Sequence, residues 1–208
     1  MQRLMRIAGC LSAVLLSLTA CTSVPITHYY TFQPSLKVAP QATESVASSP
    51  FSLRVESFGG DIPYQQDKII FRTSAYEVNF YEYHQWLRPP AELVTERVLD
   101  LAGASGLFQH VFEEESGELT RYMLDGRVLM FDQWYTKPTG STIRVGIRYR
   151  LFAPELQDDP LWDDTIETTA DTMNMEILGA IKAFETALYE NITQALAAID
   201  RVIAQHTE

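Results

Sequence analysis

Cys21, directly behind Leu18-Thr19-Ala20, is the side chain best placed for chemistry. A thiol that follows small residues at the end of an apolar run can take a diacylglycerol group. The other reactive groups are less well arranged. Asp158-Asp159, Asp163-Asp164 and Glu113-Glu114-Glu115 hold the carboxylates a glycoside hydrolase would need, but they fall in or beside predicted turns and read as solvated surface. His28, His84, His110 and His206 are scattered singly, whereas a metal site needs several ligands at converging spacings. The chain has no Gly-x-Ser-x-Gly elbow, no His-Glu-x-x-His and no Gly-Lys-Ser/Thr loop. We therefore expect no catalytic residues, no metal and no cofactor beyond lipid carried by Cys21. Asn191-Ile192-Thr193 matches a glycosylation acceptor but lies inside a predicted helix, so it reads as chance.

The elements around Cys21 fit its chemistry. Arg3 and Arg6 make a positive start, and Ile7 to Leu18 form an apolar stretch of about twelve residues, the length of a signal-peptide core. A spanning helix needs roughly 20 apolar residues. The four residues ending in Cys21 resemble the lipobox of a bacterial lipoprotein signal peptide, which implies removal of residues 1–20 and diacylglycerol plus an N-acyl chain on Cys21. Two acyl chains suffice for stable anchoring, at about 0.8 kcal/mol per buried methylene. Cys10 leaves with the leader, so no internal disulfide is available. Only Arg3 and Arg6 of the 16 basic residues are lost, and the remaining 188 residues carry a net charge of about −13. That acidity excludes the basic footprint of nucleic-acid binding and disfavours an electrostatic grip on anionic lipid.

Residues 21–50 read as lipidated start, tether, edge strand and linker. Thr22–Thr27 is polar, His28–Phe32 is an aromatic edge strand, and residues 33–50, with Pro34, Pro40 and Pro50, are a linker. The folded domain is placed at 51–208. Phe51, Leu53 and Val55 alternate as a half-buried strand that Gly59-Gly60 and Pro63 should end. Short strands follow at 68–73 and 76–81, the second with Tyr76, Val78 and Phe80 on one face. Pro89-Pro90 opens a helix with Val94, Val98, Leu101 and Ala102 as its stripe, stopped by Gly103 or Gly106. After a brief strand at 107–112, residues 119–132 form one long strand with Tyr122, Leu124, Val128 and Met130 in phase. Asp125-Gly126 within it could make a tight hairpin turn, but the alternation keeps its phase through it, so a bulge or a close contact within one strand is preferred. Residues 143–151 alternate cleanly, and a last strand covers 161–170. Residues 174–204 form a helix about 45 Å long. The expected fold is α+β: a mostly antiparallel sheet with two helices packed on one face.

Two patches are candidate partner-binding surfaces. Arg144, Arg148 and Arg150 line the polar face of their strand, where they either dock an acidic partner or phosphate heads, or pair with Asp163 and Glu167 on the next strand; pairing is preferred. Tyr29, Tyr30 and Trp86 belong to aromatic clusters that suit an interface, although Trp86 suits a strand-to-helix core hinge equally well.

The chain resembles the ABC-type transport auxiliary lipoproteins, the family that includes paraquat-inducible protein C. His28-Tyr29-Tyr30-Thr31-Phe32 resembles the family's Tyr-Tyr-x-Leu segment, with Phe32 in the Leu place. Ile69-Ile70-Phe71-Arg72, Trp86-Leu87-Arg88-Pro89-Pro90, Gly106-Leu107-Phe108-Gln109-His110-Val111 and Tyr122–Val128 resemble later motifs in the same order. The insert-like segment 33–50 departs from the pattern. The resemblance implies a lipoprotein of the outer membrane's periplasmic face, without enzymatic activity. It would be an auxiliary to an MCE-domain periplasm-spanning protein and its inner-membrane ABC lipid transport system. Thr22, where an Asp would signal inner-membrane retention, fits that location. Homo-oligomerisation stays open. The rival readings are a lipoprotein that itself binds lipid or assists lipopolysaccharide export and, last, a carboxylate-based envelope hydrolase.

Overall fold

The structure, a computed structural model, describes residues 25–33, 49–117, 120–135, 139–153, 156, 159–172 and 176–206. Cys21, the leader and most of the 33–50 linker lie outside the described residues, as do Asp158 and the start of the last helix at 174.

The fold is α+β, and the described residues form one nine-stranded sheet and two long helices. The strands are β1 (His28–Tyr30), β2 (Ser49–Val55), β3 (Gly59–Gly60), β4 (Lys68–Ser74), β5 (Glu77–Trp86), β6 (Phe108–Glu113), β7 (Tyr122–Trp134), β8 (Ser141–Phe152) and β9 (Trp162–Thr172). The helices are α1 (Pro90–Ala104) and α2 (Ile177–His206). β7 organises the sheet. Along one edge it pairs in succession with β2 at Tyr122–Leu124, β3 at Arg127–Val128 and β4 at Asp132–Trp134, each in parallel. Along the other edge it pairs antiparallel with β8, and β8 with β9. β4 and β5 form an antiparallel hairpin, while β1 joins β5 and β6 joins β2 in parallel. The sheet is mixed: its longest ladders, β7–β8 and β8–β9, are antiparallel in line with the expected mostly antiparallel sheet, and the shorter ladders of β1, β2, β3 and β6, with that of β4 on β7, are parallel. Alternation along a strand tells which face is buried but not which neighbour it takes or in which direction.

Both helices pack on the face carrying Ile143, Val145, Ile147, Tyr149 and Leu151 of β8, all fully buried. α2 lies over β8 and β9 through Ala180, Phe184, Ala187, Leu188, Asn191, Ile192, Ala195 and Ile199. α1 starts at Pro90 behind Pro89 and ends at Ala104, capped by Ser105, after which Gly106 takes φ +71°, a left-handed conformation that favours glycine. An aromatic cluster in the core joins four segments. Trp86 packs on Phe32, Phe131 and Phe184 at 5.4, 5.6 and 5.2 Å between ring centres, and Phe131 stacks on Phe184 at 4.7 Å.

Other local expectations change. Gly59-Gly60 does not only end β2; it forms a two-residue strand on β7. Tyr76 sits in the β4–β5 turn, and β5 runs on to Trp86. β7 is one strand through Asp125-Gly126, as expected, but a register shift between Val128 and Met130 breaks its phase. Phe131 therefore enters the core in place of Met130.

Candidate functional site

The face of β7–β9 opposite the helices carries the predicted arginine row. Register places Arg150 between Asp125 of β7 and Asp163 of β9, and Arg148 between Arg127 and Thr165. Arg148 reaches diagonally to Asp163, donating from Nε at 2.7 Å and Nη2 at 2.5 Å. Arg150 turns the other way and makes the same two-point contact with Asp125, at 2.8 and 2.5 Å. Hydrogen bonding to Arg148, ahead of charge attraction, holds the Asp163 carboxyl below the usual range. Arg127 bonds Asp61 at 2.8 Å. Arg144 pairs differently, its guanidinium lying over the Trp134 ring at 4.9 Å with Nη2 2.8 Å from Met130 Sδ. Ser57, Gly59, Asp125, Gly126, Arg127, Arg148 and Arg150 line an open cleft of about 410 Å³. Its three guanidinium groups each face a carboxylate. A docking anion would have to displace Asp61, Asp125 or Asp163, and such exchange is easy among screened surface pairs.

Next to this row lies a buried charge cluster that sequence reasoning missed. Asp132, 2% exposed, accepts from Arg72 Nε at 2.6 Å, Trp134 Nε1 at 2.6 Å and Tyr64 OH at 3.1 Å. Burial, then the Asp132 charge, pushes the Tyr64 hydroxyl above its ordinary range. All of its near partners are satisfied within the cluster, so it reads as structure holding the 3₁₀ turn Ile62–Gln65 against β7. A second missed residue is Asn191, which the sequence offered only as a sugar acceptor. It is fully buried, donates to Ile166 O at 2.7 Å and to Val145 O and Thr168 Oγ1 at 3.3 Å, and accepts from Tyr149 OH at 2.8 Å. The signal was a polar residue at a core position of the α2 stripe.

The aromatic candidates separate. Trp86 is 0% exposed, so it offers no surface to a partner; the hinge reading is the one the structure supports, because β5 delivers Trp86 straight into the core. Tyr30 is half-buried, its hydroxyl 2.8 Å from His84 Nδ1, and His28 stacks on His84 at 5.5 Å. Tyr29, the middle residue of edge strand β1, is 59% exposed. β1 is held at both ends. Register pairs His28 with His84. Beyond Phe32, Arg97 of α1 donates to Gln33 O at 2.6 Å and to Glu185 of α2 at 2.8 Å. Among the described residues no three His, Cys, Asp or Glu side chains gather as metal ligands would, and no helix is long and apolar enough to cross a membrane.

Neither a family model nor a curated protein matches this chain. Solved structures share its fold. Protein XCC0632 from Xanthomonas campestris, of the family DUF330, matches with a TM-score of 0.73 at 18% identity, over 86% of this chain and 99% of that one. A crystal structure of an uncharacterized protein matches with a TM-score of 0.56 at 12% identity, over 86% and 99%. The lipoprotein GNA1162 from Neisseria meningitidis matches more loosely, with a TM-score of 0.36 at 12% identity, over 70% of this chain and 99% of that one.

Proposed function

We propose that this chain is a lipid-anchored, non-enzymatic adaptor of the outer membrane. In this reading it serves as an auxiliary component of an MCE-type ABC lipid transport system. The observation that carries the reading is Leu18-Thr19-Ala20-Cys21 at the end of a short apolar leader, six residues ahead of a folded body. Diacylglycerol and an N-acyl chain on Cys21 supply membrane attachment, in keeping with an acidic body poorly suited to gripping anionic lipid. The ordered motifs from Tyr29 to Val128 support the adaptor role, and the arginine row of β8 supplies a surface whose ion pairs a partner's carboxylates can exchange. The test is in-cell crosslinking from a photoreactive residue at Arg148 or Arg150, followed by mass-spectrometric identification of the captured protein. Capture of an MCE-domain protein is the expected result. Capture of lipopolysaccharide-export components instead, with no MCE-domain protein, would overturn the transport assignment.

A further inference from the structure

The edge formed by β1 and β5 carries an unusual share of exposed apolar surface. Among the described residues Tyr76 is 100% exposed, Phe80 47%, and Ile26, Tyr29, Val78 and Tyr83 are also exposed. Single exposed apolar side chains need no explanation. These six fall on one sheet edge and its hairpin tip, and the path of the chain says what they meet. β1 is parallel to β5, so the segment before His28 comes from the same end as the segment before His84, the end where the β4–β5 turn holds Tyr76. His28 lies seven positions after Cys21, and His84 seven positions after Glu77. An extended segment of that length spans about 23 Å. Cys21 can therefore reach the level of the hairpin tip and little further. Because Arg97 and the β5 register clamp β1 to the body at both ends, no slack can be borrowed from beyond Gln33.

We propose, building on the lipid-anchor reading, that the β4–β5 hairpin tip and the β1–β5 edge sit in the bilayer interface beside the acyl chains of Cys21. Tyr76, Val78 and Phe80 enter the headgroup boundary, with Tyr29 and Tyr83 at its rim. Tyrosine suits this position because its ring is apolar and its hydroxyl stays wet. The charges nearby are Glu77 and Glu82, with Arg72 already committed to Asp132. The contact is thus apolar, made to a zwitterionic surface. It fixes the orientation of the body, turning the β8–β9 side, with its arginine row, away from the edge that meets lipid.

Tyr76→Cys and, as control, Thr165→Cys on β9 each give the acylated protein one free thiol for a nitroxide label. The labelled full-length products, purified from membranes, are reconstituted in phosphatidylcholine vesicles, and collisions with oxygen and with an aqueous nickel complex are compared. The expected result is loss of nickel collisions and gain of oxygen collisions at position 76, with the reverse at 165. Equal aqueous access at both sites, in a sample whose mass shows acylated Cys21, would overturn the edge contact and leave the anchor standing. Spin coupling at position 76 that disappears on dilution with unlabelled protein would assign the edge to a second copy and also overturn it. An unmodified Cys21 would remove both proposals together.

Discussion

Replacing Gly126 with alanine tests how β7 is built around Phe58. A Cβ at Gly126 would fall 2.3, 2.6 and 2.7 Å from Cε2, Cδ2 and Cζ of the Phe58 ring. Carbon atoms pack best about 3.5–4.0 Å apart, so the ring would have to retreat by more than an ångström. It has little room: Phe58 is buried, lies edge-on to Tyr149 at 5.7 Å, and its backbone N–H donates to Thr95 Oγ1 at 2.9 Å. Overpacking of this kind costs about 1–3 kcal/mol. Phe58→Ala alone should cost about 3–5 kcal/mol through the cavity it leaves. In that background the clash is gone, and Gly126→Ala should be neutral, or stabilising by about 0.5–1 kcal/mol because alanine loses less backbone freedom on folding than glycine. The four proteins of this cycle would be compared by urea denaturation with far-UV circular dichroism. The expected coupling is about 1–3 kcal/mol, well above the additivity seen between independent sites. Equal effects of Gly126→Ala in both backgrounds would show that the Phe58 ring does not exclude a side chain at position 126.

Tyr149→Phe should destabilise by about 1–3 kcal/mol, because it leaves the buried Asn191 Oδ1 without its donor, whereas Tyr122→Phe should be neutral or stabilising, since the buried Tyr122 hydroxyl has no partner among the described residues; the urea midpoint should fall in the first variant and hold or rise in the second. Trp86→Ala should cost about 3–5 kcal/mol and lower the thermal midpoint of the body, and a folded variant of unchanged stability would contradict its place in the core. Burial, and then the charge of His28, lowers the pKa of His84 from its ordinary 6.5. The folded state thus gives up this proton more readily than the unfolded chain. The resulting stability is fully present above about pH 6.5 and is lost as pH falls through the folded-state value. Between pH 8 and pH 5 the melting temperature should therefore fall further in the parent protein than in His84→Gln; equal falls would exclude the linkage.

Strand alternation made β8 legible: Ile143, Val145, Ile147, Tyr149 and Leu151 go inward and the arginines outward, as their spacing implies. The α2 stripe and the Pro90 start of α1 were legible for the same kind of reason, since helical period and proline geometry are local properties. Pairing partners were not, because they depend on segments far apart in the chain. Nothing in Gly59-Gly60 announces that it will pair with Arg127-Val128, or in Lys68–Ser74 that it will lie parallel to the end of β7. One inserted residue near Leu129 was enough to exchange Met130 for Phe131 at the core. The arginine row was expected to pair with Asp163 and Glu167. Arg148 does take Asp163, but Arg150 finds Asp125 on β7, which only the register reveals. Asn191 and Asp132 escaped notice because a buried polar group is recognised by the partners that satisfy it, and those partners come from other elements.

What Cys21 carries decides whether this protein is held at a membrane by lipid. Intact-mass analysis of the protein extracted from bacterial membranes, with its N-terminal peptide sequenced by fragmentation, decides the matter directly. The predicted product begins at Cys21, lacks residues 1–20, and is heavier by a diacylglycerol and an amide-linked acyl chain. A product that keeps the leader, or one that begins at Cys21 with a free thiol, would contradict it.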